Sequence, residues 1–222
     1  SNCIENEKFQ ISISPEQKLE VRKTIGFNTD DFVVLFCGRL VEEKGIKELV
    51  DAVLNIQDPK VKLLLIGSDS FAKGNRGQFA KEIEKLVIDN RKIVHLDYVE
   101  NNQLYQYYQS ADLQVVPSIV EEAAGLVALE GMISKIPLII TQSGGMVEYV
   151  NKKYTRVIPK DINLVASLRK NIIELRDNPE ERQRMVEGAY EWAKQFSKQR
   201  YYADFCNIMT EWRKEVEKNS LW

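Results

Sequence analysis

Phe32-Val33-Val34-Leu35-Phe36-Cys37-Gly38-Arg39-Leu40-Val41-Glu42-Glu43-Lys44-Gly45 sets six consecutive apolar residues before a glycine and a charged loop. An apolar run of that length without alternation is a strand covered on both faces, because a strand with one wet face alternates apolar and polar side chains. Comparable runs follow at Val61 to Ile66, Lys92 to Leu96, Leu113 to Val116, Pro137 to Ile140 and Arg156 to Ile158. Between them apolar residues return at helical spacing: Ile46, Leu49, Val50, Val53 and Leu54, then Phe79, Ile83, Leu86 and Val87, then Leu104, Tyr105 and Tyr108. Gly125 to Ser134 reads as a further helix. This alternation predicts an α/β fold, a doubly wound parallel sheet of about six strands. Ligands of such sheets sit outside the carboxyl ends of the strands, so the segment after each strand carries the most functional weight.

Outward from this block, the first thirty residues are polar and punctuated by Pro15 and Gly26; Glu16 to Ile25 reads as a short amphipathic helix with Leu19 and Val21 inward. From Asp161 onward the pattern is helical, over Leu164 to Arg176, Pro179 to Gln195 and Lys198 to about Lys218, with Pro179 suited to a first helical turn. The last helix carries Tyr201, Tyr202, Phe205, Ile208, Met209 and Trp212, as either core or a docking face. The 222 residues hold 31 Lys+Arg against 33 Asp+Glu, a net charge of −2 that argues against affinity built on phosphate neutralisation of nucleic acid. Cys3, Cys37 and Cys206 form no close pair, and one histidine, His95, excludes a multi-histidine metal site. His95 lies in a strand pattern and is expected to be structural, and Cys37 to be an inert, buried small hydrophobe. No run of 18 apolar residues and no leader pattern is present, so the class expected is a soluble intracellular protein. The chain opens Ser1-Asn2-Cys3 without Met, as a cut polypeptide would.

Three segments after strands can carry chemistry. In the first, Gly38 permits a sharp turn, Arg39 and Lys44 can converge on one anion, and Gly45 opens a helix whose first amides favour negative charge. The alternative is a solvated loop in which both cations pair with Glu42 and Glu43. The second runs from Pro117 to Met132. Small residues at Ala123, Ala124 and Gly125 would bring a diphosphate close to the first amides of the helix, including Leu126 and Val127, with Glu122 and Glu130 flanking it. Carboxylates accept pairs of bonds from vicinal hydroxyls, which suits a ribose at one end and a hexose at the other. The alternative makes Glu122 a partner of the helix dipole and Glu130 a buried, paired acid. The third is Thr141-Gln142-Ser143-Gly144-Gly145-Met146-Val147-Glu148, whose glycines line a pocket rim or make a tight turn. Lys73-Gly74-Asn75-Arg76-Gly77 reads as a mobile loop.

In order and spacing these segments resemble the carboxyl-terminal half of retaining GT-B glycosyltransferases of family 4, also called group 1. The resemblance rests on Gly38-Arg39 with Lys44-Gly45, Ile66-Gly67, Ala111-Asp112 with Pro117-Ser118, Glu122 with Glu130, and Gly144-Gly145 with Glu148, and runs from about Phe32 to Phe196. It implies a Rossmann-like GT-B carboxyl-terminal domain with extra C-terminal helices. It further implies that Arg39 and Lys44 hold the donor diphosphate, that Glu122 contacts the transferred sugar, and that Glu130 binds ribose hydroxyls. Gly38 and the amides of Gly125, Leu126 and Val127 would line the donor, and the segment from Val94 to Val99 would frame the base. The chain departs from the family pattern at Ala124, at Asp97, at Ser134-Lys135-Ile136-Pro137 and at Lys198.

The expected division is a connector with a short helix over 1–31, a nucleotide-sugar binding domain over 32–196, and a helix over 197–222 that packs toward an N-terminal domain outside this sequence. The expected activity is hexosyl transfer with retention from a nucleotide diphosphate sugar, a UDP-sugar above all, to a glycan, lipid-linked or cell-wall acceptor, with no cofactor and no metal. The lobe alone is expected to bind nucleotide and transfer little. Expected partners are the donor, the acceptor and the missing domain, but not nucleic acid, with peripheral membrane association through the missing half and a cytoplasmic location at the membrane's inner face. The alternatives are a non-catalytic nucleotide-binding or interaction domain, and half of a GT-B epimerase or phosphorylase.

Overall fold

Six strands lie in one parallel sheet: β1 (Phe32–Cys37), β2 (Val61–Ile66), β3 (Ile93–Leu96), β4 (Leu113–Val116), β5 (Leu138–Thr141) and β6 (Arg156–Ile158). They are ordered β3-β2-β1-β4-β5-β6. The structure, a computed structural model, describes residues 3–4, 6–68, 77–88 and 90–219. Gly77 apart, the loop from Lys73 lies outside the described residues. In register, Phe32 to Cys37 stand opposite Val61 to Ile66, and Val34 stands opposite Leu113 on the other side. Every residue from Val33 to Phe36 is buried, and alternate ones feed different cores: Val34 and Phe36 the first, Val33 and Leu35 the second. That two-sided burial is why the run does not alternate.

Nine helices are described: α1 (Asn6–Phe9), α2 (Pro15–Thr24), α3 (Ile46–Leu54), α4 (Gln78–Ile88), α5 (Leu104–Ser110), α6 (Leu126–Ile133), α7 (Leu164–Asp177), α8 (Pro179–Ala193) and α9 (Lys198–Asn219). Helix α3 buries Ile46, Leu49, Val50 and Val53 on one stripe, each contributing roughly 1.5–3 kcal/mol. Helices α3 and α7 pack together on one face of the sheet, while α6 and α8 pack together in the second core. Pro179 opens α8 behind Asn178, whose side chain caps the Glu181 amide at 2.9 Å.

Two expectations about inward faces are corrected. In α4 Ile83 is buried and Phe79 and Val87 pack half-buried against the same core, but Leu86 is exposed, because this helix covers the edge strand β3. In α2 Leu19 and Val21 are only half-buried, and the buried residue is Arg22. Its guanidinium is accommodated because acceptors surround it: Ser110 O at 2.8 Å, Asp31 O at 2.9 Å, Thr29 O at 3.2 Å and Asp112 Oδ2 at 2.6 Å. Asp112 also accepts from the Val33 amide at 2.8 Å, tying α2 and β1 to the start of β4.

Candidate functional site

Strand order reverses between β1 and β4, and there the loops after these two strands meet. Gly45 has a φ of +66°, and a Cβ on it would stand 2.0 Å from the Pro117 carbonyl oxygen, so only glycine lets the loops touch. The Ile119 amide donates to Glu43 O at 3.0 Å across the same seam. This contact carries Lys44 to Glu122, Nζ to Oε1 at 2.5 Å, and the Ser118 hydroxyl donates to the same oxygen. Lys44 therefore does not pair with its neighbours Glu42 and Glu43. Arg39 is exposed at the same end of the sheet, and its guanidinium makes no ion pair or hydrogen bond among the described residues. Gly38 ends β1 directly, its amide donating to Ile66 O at 3.0 Å.

The loop bearing Glu122 is held from beneath by the end of β5. Thr141 Oγ1 donates to Ser118 O at 2.6 Å and Ser143 Oγ to Val120 O. Gly144 and Gly145 open a 3-10 turn over Gly144–Tyr149. Gly145 donates its amide to Glu122 O at 2.7 Å, and a Cβ on Gly144, at φ +45°, would stand 2.6 Å from that oxygen. The glycine pair is thus a support under Glu122. Gly125 caps α6 without a side-chain bond, which leaves the first-turn amides of Leu126 and Val127 to an incoming anion. Packing also calls for its small size: a Cβ would fall 2.8 Å from Met146 Cγ, and Gly125 is buried against that side chain.

Glu130, one turn into α6, accepts from the Tyr108 hydroxyl, Oε2 at 2.9 Å. Burial pushes its carboxyl up to about 7, with the Tyr108 bond opposing that rise. Cys37, the last residue of β1, lies beside the same hydroxyl, and burial followed by the charge of Glu130 pushes its thiol up to about 12, so it is inert. The loops after β1 and β4 thus hold Lys44 and Glu122 in direct contact, Tyr108 holds Glu130 on α6, and Arg39 follows the end of β1 in the loop that carries Lys44. Val99 sits half-buried past the end of β3, packed on the second core and away from that contact. His95 Nε2 bonds Gly67 O at 2.8 Å; Glu84 and Asp97 bring possible ligand atoms within 4.8 Å, but one imidazole nitrogen is already given to that carbonyl. A cavity of about 220 Å³ lies at the other end of α6, lined by Ser134 and Lys135.

Sequence reading missed Ser118, Thr141, Tyr108 and Gln114 as supports. Gln114 is fully buried in β4 and donates from Nε2 to Val127 O at 2.9 Å, anchoring the first turn of α6. A polar residue inside an apolar strand run was its visible signal, and a tyrosine on an inward helical position needing a partner was that of Tyr108.

Residues 17–192 match the family model described as Glycosyl transferases group 1. The chain belongs to that family. It is 32% identical over 168 residues to an uncharacterized glycosyltransferase of Methanocaldococcus jannaschii, covering 74% of this chain and 42% of that protein. It is also 32% identical over 144 residues to the lipopolysaccharide 1,2-N-acetylglucosaminetransferase of Salmonella typhimurium, covering 62% of this chain and 36% of that one. Among solved structures, HepE of Anabaena in complex with UDP-glucose superposes with a TM-score of 0.81 at 20% identity, over 94% of this chain and 56% of that one. The C-terminal domain of a glycosyl transferase group 1 protein of Francisella tularensis matches with a TM-score of 0.70 at 22% identity, over 86% of this chain and 97% of that one. The fold of this group 1 chain is accordingly the Rossmann-like domain of GT-B glycosyltransferases. It spans less than half the length of the curated relatives it matches.

Proposed function

We propose that the chain is the donor-binding, carboxyl-terminal lobe of a retaining family 4 glycosyltransferase, and that it positions a UDP-hexose for transfer to a glycan, lipid-linked or cell-wall acceptor. The observation that carries this reading is the Lys44–Glu122 contact at the strand-order switch, beside the uncapped start of α6. A diphosphate set against those amides would take charge from Arg39 and Lys44, which together stabilise the departing nucleotide without requiring a metal. Lys44 would then bridge phosphate and Glu122, holding that carboxylate toward the transferred sugar, while Glu130 receives the ribose hydroxyls. Gly38, Leu126 and Val127 would contribute backbone, and Val99 the edge of the base. Support comes from HepE, solved with UDP-glucose, and from relatives such as the alpha-monoglucosyldiacylglycerol synthase of Acholeplasma laidlawii, 26% identical over 207 residues.

The acceptor would sit between this lobe and an N-terminal domain, which is the partner proposed for the apolar face of α9. A cytoplasmic enzyme working at the membrane's inner face fits lipid-linked acceptors; no helix of the described residues is long and apolar enough to cross a membrane. Titration calorimetry with UDP and UDP-glucose tests the reading. Binding is expected, with Arg39→Ala and Glu130→Ala each weakening it about tenfold or more, the loss of a charge-assisted bond. No binding, or binding indifferent to both changes, overturns the site.

A further inference from the structure

We propose that Tyr108 is the positioning residue of Glu130, and that nucleotide-sugar affinity at this carboxylate falls as the pH drops below neutrality. The inference rests on the reading of Glu130 as the ribose-binding group. Tyr108 is fully buried on α5, its ring fixed edge-on against Phe9 of α1 at 5.8 Å and 88°. Its hydroxyl is the one hydrogen-bond donor to the Glu130 carboxyl among the described residues and reaches Oε2 alone. Oε1 is therefore left to accept from a ligand, in an orientation that Tyr108 sets. A carboxylate held by one oxygen presents the other in a fixed direction, which a free side chain on a helix would not.

Among the described residues no cation balances this carboxyl. The titratable groups beside it are Tyr108 on α5 and Cys37 on β1, both raised by burial and neutral near pH 7. Elements packed against α6 bring Glu7 and Lys8 on α1, Glu148 on the turn after β5, and the acids and arginines of α8; none of them contributes to the ionisation of Glu130. Its two causes are burial, which favours the neutral acid, and the Tyr108 bond, which favours the anion. Vicinal hydroxyls bind the anion best, so protonation competes with the donor, and removing the Tyr108 hydroxyl moves the ionisation to higher pH.

UDP-glucose is the probe, since its doubly esterified diphosphate does not titrate near neutrality. Calorimetry of the unmodified chain is expected to show affinity falling about tenfold from pH 8 to pH 6. Tyr108→Phe should move the midpoint of that curve upward and weaken binding at pH 7, while Glu130→Gln should bind weakly with no pH dependence. His95 remains in every variant, so a slope that persists in Glu130→Gln overturns the proposal. An unmoved midpoint in Tyr108→Phe overturns it too, even if affinity drops, because a purely structural tyrosine would act equally at all pH values. Should Tyr108→Phe fail to fold, carboxyl NMR of the unmodified chain decides: a Glu130 midpoint near 7 is expected, and one at an ordinary glutamate value overturns the proposal. No binding at pH 8 by the unmodified chain is a different failure, that of the donor-site reading itself.

Discussion

Arg22 shows how a single buried charge can tie a fold together. Its guanidinium donates to three backbone carbonyls and to Asp112, whose carboxylate also receives the Val33 amide. Asp112 belongs to the Ala111-Asp112 pair that marks the family resemblance, and its place in the structure is as a clasp between α2, β1 and β4. Truncation leaves three carbonyls without their partner, while the part-exposed Asp112 keeps Lys18 at 3.4 Å and the Val33 amide, so Arg22→Ala should cost about 2–3 kcal/mol in urea unfolding. Arg22→Lys should recover only part of this, since an ammonium cannot reach acceptors in a fork. Nothing in the helical pattern around residue 22 points inward at an arginine: periodicity ranks apolar residues, and the acceptors that make this burial tolerable come from residues up to 90 positions away.

At the scale of elements, the strands were legible almost to the residue, because a run covered on both faces has no solvent-facing positions to blur its ends. Loops were legible in composition but not in use. Gly144-Gly145 left two readings open, and the structure sets the pair in a turn packed against the Glu122 loop. Gly144→Ala is expected to cost about 1–3 kcal/mol, from the left-handed φ and the clash with Glu122 O. It should also weaken UDP binding, because the loop cannot hold its place; thermal unfolding and calorimetry read the two effects separately. The end of α6 makes a related point. Lys135 adopts a φ of 60° although the residue type does not favour it. The helix closes there with Lys135 N to Met132 O and Ile136 N to Gly131 O, both 3.2 Å, so the turn before β5 keeps a glycine-like shape without glycine.

For the whole molecule, α9 is the element least accounted for by the rest of the fold. Tyr202, Ile208 and Trp212 on it are 70%, 63% and 59% exposed, a row of large apolar side chains with little beneath it. The sequence left that row as core or docking face, and the structure excludes core within this chain. Shortening the chain after Gln199 should leave the urea midpoint nearly unchanged, within about 0.5 kcal/mol, and should lower the binding of an apolar dye. A large loss of stability would mean that α9 supports the domain after all.

By itself the sequence determined the six strands, most of the helices between them, the loops that carry Arg39, Lys44 and Glu122, and the helix that carries Glu130, because periodicity and glycine placement act over a few neighbouring residues. Only the tertiary structure decided that Lys44 reaches Glu122 rather than Glu42 or Glu43, that Arg22 turns inward, that Gly125 and Gly144 serve packing, and that Tyr108 holds Glu130. These partners stand 78, 90 and 22 residues apart for Lys44, Arg22 and Tyr108. Which of them meet is set by the order of the strands and the crossing of the chain between β1 and β4, and no local pattern encodes that.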